Sequence, residues 1–201
     1  SNRFSRADLE NKLLMVDEDI ATMEKTMDRM HACEYEGIAA AKTYKPMLDV
    51  VEDKDIIVVH MTSVNREVLD HCKNLKVVAC LRGGYENVDV AACTEKGVKV
   101  INAPWRSAFA VADCTVGMMI AENKNIARAH LAIVQGGWRK KFHNQEYIRN
   151  MRNCTVGVIG FGYIGRQVIQ RLKGFDCKIV VHDPFLDPKI ITDAGETAVS
   201  L

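Results

Sequence analysis

The chain has 201 residues, a length that fits one large domain or two small ones at about 150 residues per domain. Its formal net charge is +1, so the composition offers no electrostatic basis for binding nucleic acid or an anionic membrane. Hydrophobic residues make up 48% and charged residues 26%, which excludes wholesale disorder, and no apolar run approaches the roughly 18 residues of a membrane span.

The seven cysteines predict packed thiols rather than a disulfide framework or a zinc site. Their number is odd, no C-x-x-C occurs, and no histidine has metal-ligand spacing to them, so we expect no metal. Most lie in apolar stretches, where cysteine is a small buried hydrophobe. We therefore expect a reducing compartment, the cytoplasm, and the start of the chain shows no apolar signal core.

The first half of the chain alternates helical segments with short β-branched runs. A capping box at Ser5–Asp8 opens a helix, and a second helix is predicted from about residue 20 to 30. The predicted strands are residues 55–60, 75–80 and 98–101, and the helices between them are residues 65–73 and 87–96, the latter closed by Gly97. Strands separated by helices of about ten residues indicate βαβ units, and thus a small open parallel sheet over residues 1–101.

A domain boundary is predicted near Pro104, where this alternation stops. Residues 107–135 are apolar nearly all round, which predicts one long buried helix ending at Gly136-Gly137. The basic and aromatic residues 138–142 that follow favour a solvated loop anchored by Trp138 over a phosphate site.

Residues 155–183 form a strand–turn–helix–strand pattern around a G-x-G-x-x-G sequence, Gly160, Gly162 and Gly165. The first glycine permits a tight turn, the second lets the backbone approach a pyrophosphate, and the third lets helix and strand pack closely. Tyr163 and Ile164 are expected to act through backbone N–H groups at the helix N-terminus.

Asp183 ends the second strand of this pattern, where a carboxylate accepts both hydroxyls of an adenosine ribose and repels the 2′-phosphate of NADP. No Arg follows it, since Pro184, Phe185 and Leu186 come next, so the preferred cofactor is predicted to be NAD. The alternative is that Asp183 only caps a loop.

Several segments in order resemble the D-isomer-specific 2-hydroxyacid dehydrogenases, and the resemblance covers nearly the whole chain. The matching segments are residues 75–89 (strand, substrate loop and helix), 100–104 (hinge), 110–115 (start of the crossing helix), 125–129, 136–138 and 156–183 (nucleotide fingerprint). The sequence departs from the family where Trp105 stands in place of Gly and Asp113-Cys114 in place of Glu-His. Within the family it is most similar to phosphoglycerate dehydrogenase and glyoxylate/hydroxypyruvate reductases.

The resemblance implies an α/β fold with a flavodoxin-like parallel-sheet substrate lobe, residues 1–103, whose first strand is missing. A truncated Rossmann dinucleotide-binding domain follows, residues 104–201, since the residues after Gly165 supply too few βαβ units for two halves. It further implies hydride transfer between NAD and a small 2-hydroxy or 2-oxo acid, and a homodimer formed through the crossing-helix region. The family's catalytic Arg, Glu and His fall after Leu201, so we expect the 201-residue chain alone to be inactive.

The resemblance also assigns substrate-binding residues, a loop of Arg82, Gly83 and Gly84 whose backbone N–H groups bind the substrate carboxylate. Arg82 either adds charge there or faces solvent or pairs with Glu86, and Thr115 either approaches the cofactor or packs its helix. Two other functions stay open: an NAD-sensing corepressor of the same fold family, and another nicotinamide or nucleoside enzyme with a similar Rossmann half.

Overall fold

The computed structural model describes residues 23–201 of the chain. The helix predicted at Ser5 lies outside the described residues, and the described part of the second predicted helix is helical as far as His31. The chain divides into two compact units, the first ending at Ala103 and the second beginning at Pro104.

The first unit is built on a three-stranded parallel sheet in the order β1-β2-β3, which confirms the three predicted strands. Its elements in chain order are α1 (Met23–His31), a π-helical turn (Ala32–Glu36), a 3-10 turn (Ile38–Ala40), α2 (Lys45–Val51), β1 (Ile56–Val59), α3 (Arg66–His71), β2 (Val77–Cys80), α4 (Val90–Glu95) and β3 (Lys99–Ile101).

The core of the first unit lies between one face of this sheet and the helices. The strands alternate, with Ile57 and Val59 of β1 and Val78 and Cys80 of β2 buried, as expected for a period of two. Helix α4 ends as predicted at Gly97, whose φ of +70° lets the next N–H group, that of Val98, reach the carbonyl oxygen of Cys93 at 2.8 Å. The chain then continues into β3, which pairs with β2.

The second unit contains another three-stranded parallel sheet, in the order β4-β5-β6. Its elements are α5 (Ala108–Asn123), α6 (Ile126–Val134), 3-10 turns (Gln145–Tyr147 and Met151–Asn153), β4 (Thr155–Ile159), α7 (Tyr163–Leu172), a 3-10 turn (Lys173–Phe175), β5 (Lys178–His182), α8 (Pro188–Asp193) and β6 (Thr197–Ala198). The strand–helix–strand order predicted around the glycine sequence is confirmed.

Helix α7 is packed on two sides, which fixes the glycine turn that precedes it. Val168 and Leu172 face Ala112 and Val116 of α5, and Ile169 belongs to a second cluster of buried residues on the sheet. Arg171 also forms an ion pair with Asp113, joining α7 to α5.

The prediction of one helix over residues 107–135 is wrong, because the helix breaks at Asn125. This residue is fully buried and has a left-handed backbone, φ +55°, a conformation that Asn tolerates better than most residues. The Asn125 side-chain NH2 group donates to the side-chain amide oxygen of Asn144 at 2.7 Å, and the Arg128 guanidinium donates to the side-chain amide oxygen of Asn125 at 3.0 Å. The bond to Asn144, 19 residues further along the chain, stabilises a turn where the local pattern favours a continuous helix.

The prediction that residues 107–135 are buried is also wrong for the described chain. Only Ala108, Ala112 and Val116 of α5 are buried, and α6 buries no residue. Large apolar side chains are exposed along both helices: Phe109, Met118, Ile126, Leu131, Ile133 and Val134. Gly136 ends α6 with φ +76°, as predicted, but Trp138 does not anchor the following loop, since it is 77% exposed.

Candidate functional site

The glycine turn between β4 and α7 needs glycine at its first and third positions for reasons of backbone geometry. Gly160 has φ +98°, and its N–H donates to the carbonyl oxygen of His182 on the neighbouring strand at 2.7 Å. A Cβ on Gly165 would lie 2.0 Å from the carbonyl oxygen of Gly160. The absence of both side chains lets α7 begin directly against the end of β4.

The N-terminus of α7 is open to an anion. Among the described residues no acceptor receives the N–H groups of Gly162, Tyr163 or Ile164. A Cβ on Gly162 would meet no atom within 4 Å, so the space above these donors is clear. Free N–H groups and the positive end of the helix dipole together favour a phosphate group at this position.

These donors open onto a cleft of about 500 Å³ within the second unit. The cleft is lined by six of the predicted cofactor residues: Gly160, Gly162, Tyr163, Ile164, Gly165 and Thr115. The Thr115 hydroxyl donates to the carbonyl oxygen of Val111 at 2.8 Å, one turn back in α5, so its hydrogen is committed to the helix while its lone pairs can still accept.

Asp183 stands beside the glycine turn and binds its backbone. One carboxylate oxygen accepts from Phe161 N–H at 2.7 Å, and the other accepts from Phe185 N–H at 2.9 Å. The pKa of Asp183 is lowered because the N–H groups of Phe161 and Phe185 favour the charged form. The loop-capping alternative is therefore present, yet each carboxylate oxygen keeps a lone pair for a ribose hydroxyl.

Arg166 and Phe161 are site residues that the sequence analysis missed. The Arg166 Nε–H donates to the carbonyl oxygen of Phe161 at 3.0 Å, and the guanidinium carbon lies 3.9 Å from the centre of the Phe161 ring. The Phe161 side chain is 3% exposed. Asp183 therefore binds the N–H group of Phe161, and Arg166 binds its carbonyl oxygen. No spacing rule in the sequence predicts this arrangement.

Trp105 packs on Tyr163, the first residue of α7. The ring centres are 4.0 Å apart and the planes are inclined by 38°. The sequence marked Trp105 only as a departure from the family pattern and gave no sign of its partner.

The first unit contains the other predicted site, the loop that follows β2. Ala103 N–H donates to the carbonyl oxygen of Arg82 at 2.8 Å, and the Asn102 amide donates to that of Gly83 at 2.6 Å. Over the described chain the N–H groups of Gly83 and Gly84 donate to no protein atom. With its carbonyl oxygens bonded and two N–H groups free, this loop is suited to binding an anion such as a carboxylate.

The sequence analysis left open that the Arg82 side chain faces solvent or pairs with Glu86, and it does neither. It does not face solvent, since it is 19% exposed, and it pairs with Glu34 at 3.7 Å rather than with Glu86. Its guanidinium also lies 3.1 Å from the sulfur of Met30. The charge of Arg82 is thus already partly balanced within the first unit.

Two residues that the sequence analysis did not single out, Cys80 and Asn87, stabilise the same loop through hydrogen bonds. The Cys80 thiol donates to the Gly84 carbonyl oxygen at 3.4 Å and lies 3.5 Å from the Asn87 amide oxygen. Asn87 is fully buried and donates to the carbonyl oxygen of Thr62 at 2.9 Å. The Glu86 carboxylate lies over Gly84, within 2.3 Å of where a Cβ would stand.

Among residues 23–201, no three His, Cys, Asp or Glu side chains form a group that could hold a metal ion. No helix in that range is both long enough and apolar enough to cross a membrane.

The chain matches one family model over most of its length, residues 13–173, described as the catalytic domain of D-isomer specific 2-hydroxyacid dehydrogenase. It is 38% identical over 79% of its length to a D-3-phosphoglycerate dehydrogenase of Methanocaldococcus jannaschii, and covers 30% of that protein. It is 37% identical over 69% of its length to a hydroxypyruvate reductase of Thermotoga maritima, and covers 44% of that protein.

Among solved structures, the fold is similar to that of D-lactate dehydrogenase from Aquifex aeolicus, with a TM-score of 0.63 and 23% identity. That alignment covers 76% of this chain and 45% of the dehydrogenase. The chain thus spans less than half the length of each of these relatives. By its family match and its fold, the chain belongs to the D-isomer specific 2-hydroxyacid dehydrogenase family.

Proposed function

We propose that the protein is an NAD-dependent oxidoreductase that interconverts a small 2-hydroxy acid and its 2-oxo acid. Residues 1–103 supply its substrate-binding lobe, and residues 104–201 supply the N-terminal part of its NAD-binding domain. The observation that carries the proposal is the open N-terminus of α7, with Gly162 facing clear space and Asp183 beside the same turn.

The residues present fit NAD at recognisable points. The N–H groups of Gly162, Tyr163 and Ile164 bind the pyrophosphate, and the ionised Asp183 accepts from the adenosine ribose. When bound, NAD supplies the hydride chemistry of the reaction.

On the substrate side, the N–H groups of Gly83 and Gly84 bind and orient the carboxylate of the acid, while Asn102, Ala103 and Cys80 hold the loop from behind. We assign the proton transfer to none of the residues named above.

The relatives support this function and offer no support for the alternative functions. The M. jannaschii and T. maritima proteins are a phosphoglycerate dehydrogenase and a hydroxypyruvate reductase, and the A. aeolicus structure holds NAD and lactic acid. The corepressor interpretation receives no support from these proteins. Consumption of NADH with a 2-oxo acid by the whole protein separates the enzyme from a protein that only senses NAD.

The direct test on this chain is calorimetric titration with ADP-ribose and NADH. We expect binding, and we expect Gly162→Val to abolish it because the new side chain would fill the space above the N–H donors. Gly174→Val, at a position that is also free of neighbours within 4 Å but outside the turn, is the matched control and should bind as wild type does. Failure of the wild-type chain to bind either ligand would overturn the proposal.

Preference for NAD over NADP is assigned to Asp183. Its carboxylate would face the 2′-phosphate of NADP, and Pro184 and Phe185 supply no compensating charge. Replacing the pair by Asp183→Ser and Pro184→Arg should shift the ratio of NADH to NADPH affinities toward NADPH, because a guanidinium matches a phosphate. A wild type that favours NADPH, or an unchanged ratio, would refute the assignment.

We further propose that the protein is a homodimer joined through α5 and α6. The support is the exposed apolar face of these two helices, of a kind that marks an interaction surface. Analytical ultracentrifugation should show a dimer that Leu131→Asp dissociates, whereas Phe185→Asp, at an apolar residue exposed outside these helices, should leave it intact. A monomeric wild type would refute the dimer.

We also propose that the protein is cytoplasmic. Its seven cysteines are all free thiols, three of them buried. Thiols kept in this state are typical of a reducing compartment. Fractionation of cells that produce the protein should place it with cytoplasmic markers, and recovery from a secreted or membrane fraction would contradict the proposal.

A further inference from the structure

An aromatic pair, Trp105 and Tyr163, lies beside the dinucleotide cleft, with Tyr163 in its lining. Trp105 directly follows Pro104, a lining residue of the cleft, and its carbonyl oxygen accepts from Ala108 N–H at 3.1 Å, which ties it to the start of α5. Tyr163 lines the same cleft and begins α7. The centres of their tilted rings are 4.0 Å apart, although Trp105 is 60% exposed and Tyr163 is 45% exposed.

The position of Tyr163 makes this pair more than surface packing. Its own N–H is one of the three open donors at the α7 N-terminus, so an anion bound there lies next to its side chain. A tyrosine this exposed would sample several rotamers, and contact with an indole ring removes that freedom. The Tyr163 phenol O–H is a neutral hydrogen-bond donor suited to a phosphate oxygen.

Arg166, the cation in the first turn of α7, is committed elsewhere. Its guanidinium donates to the Phe161 carbonyl oxygen and covers the Phe161 ring. The neutral Tyr163 hydroxyl therefore complements the backbone N–H groups at this end of the helix.

We infer that the Tyr163 side chain forms an aromatic wall of the cofactor cleft and that its contact with Trp105 fixes the position of this wall. In this wall Tyr163 contacts the pyrophosphate, and Trp105 is a positioning residue that holds the Tyr163 ring beside it. The inference rests on the proposed binding of a dinucleotide. It adds two side chains of this chain to a site otherwise formed by backbone N–H groups and Asp183.

The test compares a ligand that contains a pyrophosphate, ADP-ribose, with one that does not, adenosine. Trp105→Ala should weaken ADP-ribose binding by about two- to twelve-fold, the range expected for loss of one aromatic pair, and leave adenosine binding unchanged. Trp105→Phe should restore most of the affinity. Trp138→Ala, at the other tryptophan of the second unit, is the matched control and should bind both ligands as wild type does.

Two further variants separate positioning from folding. In a Tyr163→Ala background, Trp105→Ala should cause no additional loss, because Trp105 acts through Tyr163. Tyr163→Phe keeps the ring contact and removes only the hydroxyl, so it should fold normally and still weaken ADP-ribose binding.

Unchanged ADP-ribose affinity in both Trp105→Ala and Tyr163→Phe would overturn the inference while leaving dinucleotide binding intact. An equal loss for adenosine and ADP-ribose in these variants would also overturn it, since it would indicate a general structural defect. Absence of ADP-ribose binding by the wild type would instead overturn the proposed function, and this inference with it.

Discussion

Gly165→Ala tests whether the close approach of α7 to β4 depends on a missing side chain. The new Cβ would lie 2.0 Å from the Gly160 carbonyl oxygen, about 1.4 Å inside the 3.4 Å of ordinary contact. The obstacle is backbone, which cannot rotate away as a side chain would. Overpacking typically costs about 1–3 kcal/mol, and a rigid neighbour places this variant near the upper figure.

Part of that cost is offset by helix propensity. Alanine stabilises a helix interior by about 1 kcal/mol relative to glycine, so the expected net loss is about 2 kcal/mol. For a unit of roughly 100 residues this corresponds to a fall in Tm of about 8–16 °C. Gly117→Ala is the matched control, because Gly117 lies inside α5 with no atom within 4 Å of the added Cβ. The control should gain about 1 kcal/mol.

Tryptophan emission during urea unfolding is a suitable assay. Both tryptophans, Trp105 and Trp138, lie in the second unit, so the signal reports on that unit alone. The two alanine variants should differ by about 3 kcal/mol in free energy of unfolding, with opposite signs relative to wild type. A Gly165→Ala protein as stable as wild type would refute the packing argument.

Three other outcomes are expected. The pKa of Asp183 is lowered, so its hydrogen bonds to the turn stabilise the fold above about pH 4 and are lost as pH falls through the folded pKa. Asp183→Asn should therefore lower the free energy of unfolding at pH 7, and the difference from wild type should vanish in acid. A difference independent of pH would contradict this. Gly84→Val should weaken binding of 2-oxo acids and spare NADH, because the added Cβ would lie 2.3 Å from a Glu86 carboxylate oxygen and disturb the loop that we propose binds the acid. A loss of NADH affinity instead would show that the loop has another role. Burial raises the pKa of the Cys93 thiol to about 11, so iodoacetamide at pH 8 should label the exposed Cys114 first and Cys93 last, as mass spectrometry would show; early labelling of Cys93 would be inconsistent with the packing.

Much of the fold was predictable because its signals are local. A run of Val and Ile between helical segments predicts a parallel strand wherever it occurs, and β1, β2 and β3 form at the predicted runs. The turn at Gly160 and the helix end at Gly97 both require a positive φ, which glycine alone adopts freely. The order of these signals also carried the resemblance to the dehydrogenase family that the family match confirmed.

The helix break at Asn125 was not predictable from periodicity. Every residue around it favours a helix or tolerates one, and what ends the helix is hydrogen bonding to Asn144, which lies 19 residues further along the chain. The exposure of α6 was not predictable either, because an apolar pattern indicates that a surface will be covered but does not identify what covers it.

The sequence by itself determined the positions of the strands β1 to β5, the glycine turn and the acidic residue after β5, because each follows from the residue types over a short stretch of chain. Only the tertiary structure decided the contacts of individual side chains, such as Arg82 with Glu34, Arg166 with the Phe161 carbonyl and Trp105 with Tyr163. A long side chain reaches many positions at similar intrinsic energy. Its partner is selected by the packing of elements distant in sequence, and local spacing carries no information about that packing.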